Sequence, residues 1–170
     1  AVYGRALQSF DLGVFPGLAM DILDRRAQRD LEFGRRITND RGRGHFGEAV
    51  KTMRTILSIQ QGKPAFAAEV PRTVNNLANA LKELSRHTDG EAGDTLIDEA
   101  VDLYTRVVGD LERQQDVHRL PIARANLAHA LTLRAARKDG PTAKADIERA
   151  RGLFAEVGAG LRSEEHTSEL

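Results

Sequence analysis

The chain contains no cysteine and no tryptophan among its 170 residues. It can therefore form no disulfide and no thiolate metal site, and it has no cysteine nucleophile. Aromatic residues are scarce at 5%. No run of 18 consecutive apolar residues occurs, so no segment is expected to span a membrane. Neither sign of charge is in excess, with 25 Lys and Arg against 25 Asp and Glu. That balance gives no electrostatic case for a nucleic-acid partner. An initiator methionine is also missing, since the chain opens at Ala1.

The last nine residues, "RSEEHTSEL", match one forward frame of a common sequencing adapter, AGA TCG GAA GAG CAC ACG TCT GAA CTC. Residues 162–170 are accordingly expected to be adapter-derived and are set aside in fold reasoning. Both ends then read as cuts in a longer protein. Without the tail, which holds one Arg and three Glu, the net charge moves from zero to about +2. What remains suits one ordinary domain. Hydrophobic residues at 41% and charged residues at 29% fit a soluble globular or repeat protein, expected in the cytoplasm. Twenty arginines against five lysines, with abundant alanine, suggest a GC-rich bacterial coding sequence.

The chain repeats itself. "NLANAL" at 76–81 returns as "NLAHAL" at 126–131. Sliding by fifty residues aligns 71–111 with 121–161 and gives thirteen identities in forty-one ungapped positions. Random pairing at ordinary residue frequencies would give about three. Periods of this size are the signature of stacked repeats.

Each copy reads as two helices. Pro71 and Pro121 suit a first helical position, where the missing N–H costs nothing. Val74, Leu77, Ala78, Leu81 and Leu84 follow at three- and four-residue spacing, one apolar stripe. Asp89-Gly90 should end that helix, with glycine left-handed after the C-cap. Leu96, Ile97, Ala100, Leu103, Tyr104, Val107, Val108 and Leu111 make the second stripe. The second copy repeats the plan over Ile122 to Leu133 and Ile147 to Val157. Upstream, "FGEAVKTMRTIL" (46–57) places Ala49, Met53 and Ile56 on an earlier second helix, and 18–33 is expected to be helical after the "FPG" turn at 15–17.

"NLANAL" followed by "DEAVDLYTRVV" (98–108) resembles the tetratricopeptide repeat. The first helix of that family carries an Asn-Leu-Gly-Asn-Ala-Tyr-like run. Its second carries Asp-Glu-Ala-Ile with an aromatic four residues after the alanine, a spacing kept by Ala100/Tyr104 and Ala150/Phe154. The family repeat is about 34 residues, and this one is fifty. The uniform enlargement looks like the long variants in multidomain bacterial signalling proteins. The expected fold is all-α, a right-handed superhelical stack of antiparallel helix pairs. Residues 1–45 form a less defined helical segment, and 46–161 form the repeats.

Other motifs are weaker. "GRGHFG" at 42–47 matches G-x-G-x-x-G, but no buried strand precedes it, so a glycine-rich turn between helices is expected. The neighbouring Arg35, Arg36, Arg41 and Arg43 read as a solvated loop. His45, His87, His118 and His129 lack metal-ligand spacing. No catalytic pattern is present, and neither metal nor cofactor is expected. Asp94, Asp98, Glu99 and Asp102 read as a solvated face or an i,i+4 partner set.

In the family this chain resembles, first helices line a concave groove. The resemblance places Asn76 and Asn126, Asn79 and His129, Lys82 and Thr132, and Arg72, Asn75 and Ile122 on that face. Asparagine both donates and accepts, and so can bracket an extended peptide backbone. Arg72 and Lys82 would add attraction for a carboxylate. Asn76 and Asn126 could equally tie adjacent helices together. The expected function is a non-catalytic scaffold binding a peptide or partner domain, without nucleic acid or membrane, and with possible self-association through exposed repeat ends. The alternative is a regulatory arm of a larger bacterial enzyme, a caspase-like protease or a signalling ATPase. An RNA-binding role would need a basic stripe, and Arg72, Lys82, Arg124 and Arg134 make only a thin one.

Overall fold

The structure is a computed structural model that describes residues 16–37 and 40–168, with side chains as far as Ala159. The candidate adapter residues 162–170 lie outside the described side chains, and Phe15 of the "FPG" stretch lies outside the described residues. Six α-helices account for nearly all of the rest: α1 (Pro16–Arg36), α2 (Asp40–Gln60), α3 (Val70–Arg86), α4 (Gly90–Arg113), α5 (Leu120–Ala135) and α6 (Gly140–Ser168). A short 3₁₀ turn, Pro64–Phe66, separates α2 from α3. The expected all-α class holds, and no strand occurs among the described residues.

The chain divides into two compact units between Thr88 and Asp89. Residue 46, where the repeats were expected to begin, lies inside α2. The division itself falls between the two helices of the first duplicated copy, so the sequence repeat and the compact unit are out of phase.

In the first unit α1 and α2 run antiparallel. Arg26 Nη2 donates to Glu48 Oε2 at 3.1 Å, and His45 Nδ1 lies 3.1 Å from Asp30 Oδ1. Ala19, Leu23, Ala27 and Leu31 recur every four residues on α1 and are buried, as are Phe46, Ala49, Val50, Met53 and Ile56 of α2. The alanines at every second position let the two backbones approach. α3 then returns along α2, where the His87 ring stacks on Phe46 at 5.2 Å. It also reaches α1, where Arg72 Nη1 meets Asp24 Oδ2 at 3.3 Å.

The "GRGHFG" stretch is not a turn. It occupies the first two turns of α2, with Gly42 buried and Arg41 and Arg43 on helical positions. Gly42 is there because the chain doubles back tightly: an added Cβ would sit 1.9 Å from the Ile37 carbonyl oxygen. Of the three glycines that imitate a nucleotide motif, Gly42 alone is required by packing, since an added Cβ at Gly44 or Gly47 would meet nothing within 4 Å.

The second unit repeats the up-down-up course. α4 and α5 are antiparallel: Arg134 of α5 meets Asp98 at 3.5 Å, and just past the end of α5 Arg137 Nε donates to Asp94 Oδ1 at 2.7 Å and Lys138 Nζ to Asp98 Oδ2 at 3.2 Å. Asp94 and Asp98 are therefore half-buried acceptors for α5 and the residues just after it, whereas Asp102 is exposed as expected. α5 and α6 are antiparallel too, joined by Arg124 to Glu156 at 3.0 Å. Arg149 of α6 reaches Thr105 of α4 at 3.4 Å. The core is Ile97, Ala100, Val101, Tyr104, Val107, Val108 and Leu111 of α4 with Ala123, Leu127, Ala128, Ala130 and Leu131 of α5.

The turn chemistry was read correctly in type but not in place. Gly90 and Gly140 are left-handed, with φ of 62° and 70°. Each is the first residue of the following helix, while α3 closes at Arg86 with His87 as its cap. Pro71 and Pro121 take the second helical position, behind Val70 and Leu120.

The non-glycine residue with positive φ among those described is Gln115, at 53°. It sits in the α4–α5 loop just before Asp116, which accepts the Arg119 backbone N–H at 2.9 Å. That bond, with the Arg119 side chain, holds the Asp116 carboxyl below the ordinary aspartate range. Left-handed backbone costs an L residue roughly 1–2 kcal/mol that glycine does not incur. Gln115→Gly is expected to raise stability by about 0.5–1 kcal/mol after the entropy glycine gains in the unfolded chain, read from the urea midpoint.

Candidate functional site

Each unit carries one helix with a face that holds the expected binding residues. On α3 these are Arg72, Asn75, Asn76, Asn79 and Lys82, spaced three to four residues apart and so on one side of the helix. Arg72 is exposed, the three asparagines are half-buried, and Lys82 is buried at 8% exposure. On α5 they are Ile122, Asn126, His129 and Thr132. Ile122 is 66% exposed, His129 and Thr132 are exposed, and Asn126 is half-buried like its counterpart Asn76.

The face on α3 is less cationic than its residues suggest. Arg72 is paired with Asp24 of α1. Lys82 Nζ lies 4.0 Å from Glu83 Oε1, and Glu83 Oε2 accepts from Arg86 at 3.5 Å. Glu83 is the residue that sequence reasoning passed over, since a single glutamate beside an apolar stripe gives no signal until its neighbours are placed. Burial pushes the Lys82 ammonium below the ordinary lysine range. Glu83 works against this shift, while Arg86 and Arg35 add to it. What the α3 face offers is a row of amides between two compensated cations. Such a row suits hydrogen bonding to a peptide main chain better than capture of an anion.

Lys82 is consequently a burden on the fold. Its charged form is favoured in the unfolded chain, so its cost is full below the folded pKa and is relieved as pH rises toward the ordinary lysine value. Lys82→Met is expected to stabilise the protein by roughly 1 kcal/mol at neutral pH. It should also remove the part of the alkaline gain in stability that Lys82 supplies, measured by urea denaturation between pH 7 and pH 10.

The face on α5 is mixed. His129 meets the edge of the Phe154 ring of α6, with centroids 5.1 Å apart. The Thr132 hydroxyl donates to the Ala128 carbonyl of its own helix at 2.9 Å. His45 and His87 are also placed by packing, His45 against Asp30 and Phe33 and His87 against Phe46, whereas His118 is exposed. Among the described residues no group of three or more His, Asp or Glu side chains is placed to hold a metal ion. The four cations of the thin basic stripe all face carboxylates, Arg124 between Glu112 and Glu156 and Arg134 on Asp146 and Asp98. No helix among the described residues is long and apolar enough to cross a membrane.

Comparisons with protein-family models, curated proteins and solved structures find no match for this chain.

A part-buried ion pair that periodicity alone did not announce lies behind the α5 face. Arg134 grips Asp146 of α6 with both ends of its guanidinium, Nε to Oδ2 at 2.7 Å and Nη2 to Oδ1 at 2.6 Å. The Asp146 carboxylate holds the guanidinium in its charged form and raises its pKa further. The signal was available in the duplication: the first copy has Leu84 and Leu96 where the second has Arg134 and Asp146. Two leucines exchanged together for opposite charges mark positions that meet.

Proposed function

We propose that this chain is a non-catalytic interaction module, a right-handed superhelical stack of long tetratricopeptide-like helix pairs. Its first-helix faces hold an extended peptide or a segment of a partner domain in the cytoplasm. The observation that carries the reading is the half-buried asparagine row Asn75, Asn76 and Asn79 on α3, with Asn126 at the matching place on α5. Side-chain amides at this spacing, partly shielded from water, can pair with the N–H and C=O groups of a strand laid along the helix. Compensation of Arg72, Arg124 and Arg134 by carboxylates supports a protein ligand over a nucleic acid, which needs uncompensated cations. The packing roles of His45, His87 and His129 support a non-catalytic module.

A photocrosslinking residue placed at Asn79 or Thr132 should capture a protein that the same residue at Lys51, on the exposed side of α2, does not. The captured protein, purified, should then bind the Asn79→Ala, Lys82→Ala double variant about tenfold or more weakly, from the hydrogen bonds lost. Equal capture at Lys51, or unchanged affinity for the double variant, would show that these faces are not the binding surface.

A further inference from the structure

The even balance of charge over the whole chain conceals an asymmetry. Residues 1–88 hold fourteen Lys and Arg against nine Asp and Glu, whereas residues 89–161 hold ten against thirteen. The first compact unit is therefore basic by five charges, and the second, without its last nine residues, is acidic by three.

The excess in the first unit collects at one end. α1 closes with Arg35 and Arg36, α2 opens with Asp40, Arg41, Gly42 and Arg43, and the last turn of α3 carries Arg86. These helix ends lie together. The His87 ring stacks on Phe46 of α2, and Arg35 and Arg86 both bear on the Lys82 ammonium. Six cations in this unit's end thus stand against three carboxylates, Glu32, Asp40 and Glu83. Glu83 serves Arg86 and Lys82. Asp40 has a side chain 94% exposed and holds Arg43 only loosely, at 3.8 Å. Arg35, Arg36, Arg41 and Arg43 are all exposed.

The second unit follows the same up-down-up course, yet its corresponding end is neutralised. Arg113 is held by Asp110, Arg119 by Asp116, and Arg124 by Glu112 and Glu156. Folding does not account for the excess in the first unit either. Arg35, Arg36 and Arg86 suit the negative ends of their helices, but Arg41 and Arg43 occupy the first turn of α2, where the helix dipole disfavours a cation.

The charge calls for an anionic occupant, and its surroundings call for a short one. Elsewhere on this unit Arg26 and Lys51 are matched by Glu48, and Arg72 by Asp24. A nucleic-acid strand extending past the basic end would meet only these compensated cations. The rings at this end are also engaged, Phe33 with His45 and Phe46 with His87, and none is set out as a platform for a base. A second copy of the chain has little to offer. In its second unit Asp94, Asp98, Asp110, Glu112, Asp116 and Asp146 already hold an Arg or Lys of that unit.

We propose that the helix ends bearing Arg35, Arg36, Arg41, Arg43 and Arg86 dock a short acidic segment of another protein. Its Asp or Glu side chains are taken by the guanidinium forks, whose planar donors match a carboxylate. This surface lies at the ends of the helices and does not depend on the peptide-binding reading of the α3 and α5 faces.

The probe is a fluorescein-labelled oligoglutamate peptide, titrated with the full chain by fluorescence anisotropy at low salt. Arg36→Glu combined with Arg43→Glu should weaken binding about tenfold, the size of two exposed charge pairs turned from attractive to repulsive. Both side chains are exposed and a glutamate at position 43 suits the start of α2, so the thermal midpoint should hold. The control is Arg106→Glu combined with Arg151→Glu, an equal change of net charge on exposed positions of the second unit. It should leave the affinity within about twofold, since distant exposed charges are screened. Failure of the peptide to bind would overturn the proposal, as would equal losses in the two double variants. Tighter binding of an oligothymidylate of the same charge, or of phosphatidylserine vesicles, would assign the surface to a phosphate polyanion and refute the acidic segment. A dimer in sedimentation that dissociates in the Arg36→Glu, Arg43→Glu variant would assign it to a second copy and refute it equally.

Discussion

Gly42→Ala should unfold much of the first unit's stability at a stroke, costing roughly 3 kcal/mol or more, at the upper end of overpacking substitutions. The added methyl would lie 1.9 Å from the Ile37 carbonyl oxygen and 3.1 Å from that of Gly34. Both obstacles are backbone, so no side chain can swing aside. Relief would require α1 and α2 to separate at their connection, and the interface built on Leu31, Phe46 and Val50 would open with it. Gly44 provides the control, since nothing lies within 4 Å of the position an added Cβ would take. Gly44→Ala should stabilise by up to about 1 kcal/mol through helix propensity alone. Urea denaturation followed by circular dichroism gives both values. Midpoints that move together for the two substitutions would contradict the tight return of the chain at Ile37.

The Asp146→Ala variant should lose roughly 2–3 kcal/mol, somewhat less than a fully buried charge left without its partner would cost. Arg134 has a side chain only 18% exposed, and Asp146 only 6%. With the carboxylate gone, the guanidinium keeps Asp98 at 3.5 Å as its remaining anion, and Lys138 also claims that carboxylate at 3.2 Å. The informative companion is the double substitution Arg134→Leu, Asp146→Leu, which installs the residues found at Leu84 and Leu96 in the first copy. Because a buried ion pair repays its desolvation only with good geometry, the apolar pair should be neutral or stabilising by about 1–4 kcal/mol relative to the wild type. A double variant as unstable as Asp146→Ala would mean that the pair does more than replace two leucines. The Arg134 bond to Asp98, which would be lost with it, would then be the first suspect.

How much of this was legible beforehand depends on the range of the interaction. The helices of the duplicated copies were readable because an apolar residue every three or four positions leaves a helix as the way to bury one stripe. Ala78, Leu81, Ala100, Tyr104, Leu127, Leu131 and Ala150 are all buried as their spacing required. The left-handed Gly90 and Gly140 were readable because few residues tolerate that backbone. The asparagine row was legible as a pattern along α3, since neighbours on one helical face are fixed by sequence distance.

What the sequence by itself determined, then, was helix content, the duplication and which side of each helix is apolar. Three things were decided only in the tertiary structure. Gly42 reads in sequence as part of a loop motif, and only the approach of Ile37 shows why a side chain is forbidden there. Asp94 and Asp98 read as a solvated face or an i,i+4 partner set, and only the placement of α5 and the residues just after it turns them into acceptors for Arg134, Arg137 and Lys138. Ile147 and Phe154 read as core, the equals of Ile97 and Tyr104, and only the structure shows them left 48% and 39% exposed. The physical reason is common to all three. Periodicity along the chain tells a residue which way it points, but burial and pairing are properties of what stands opposite, and that is set by segments far away in sequence.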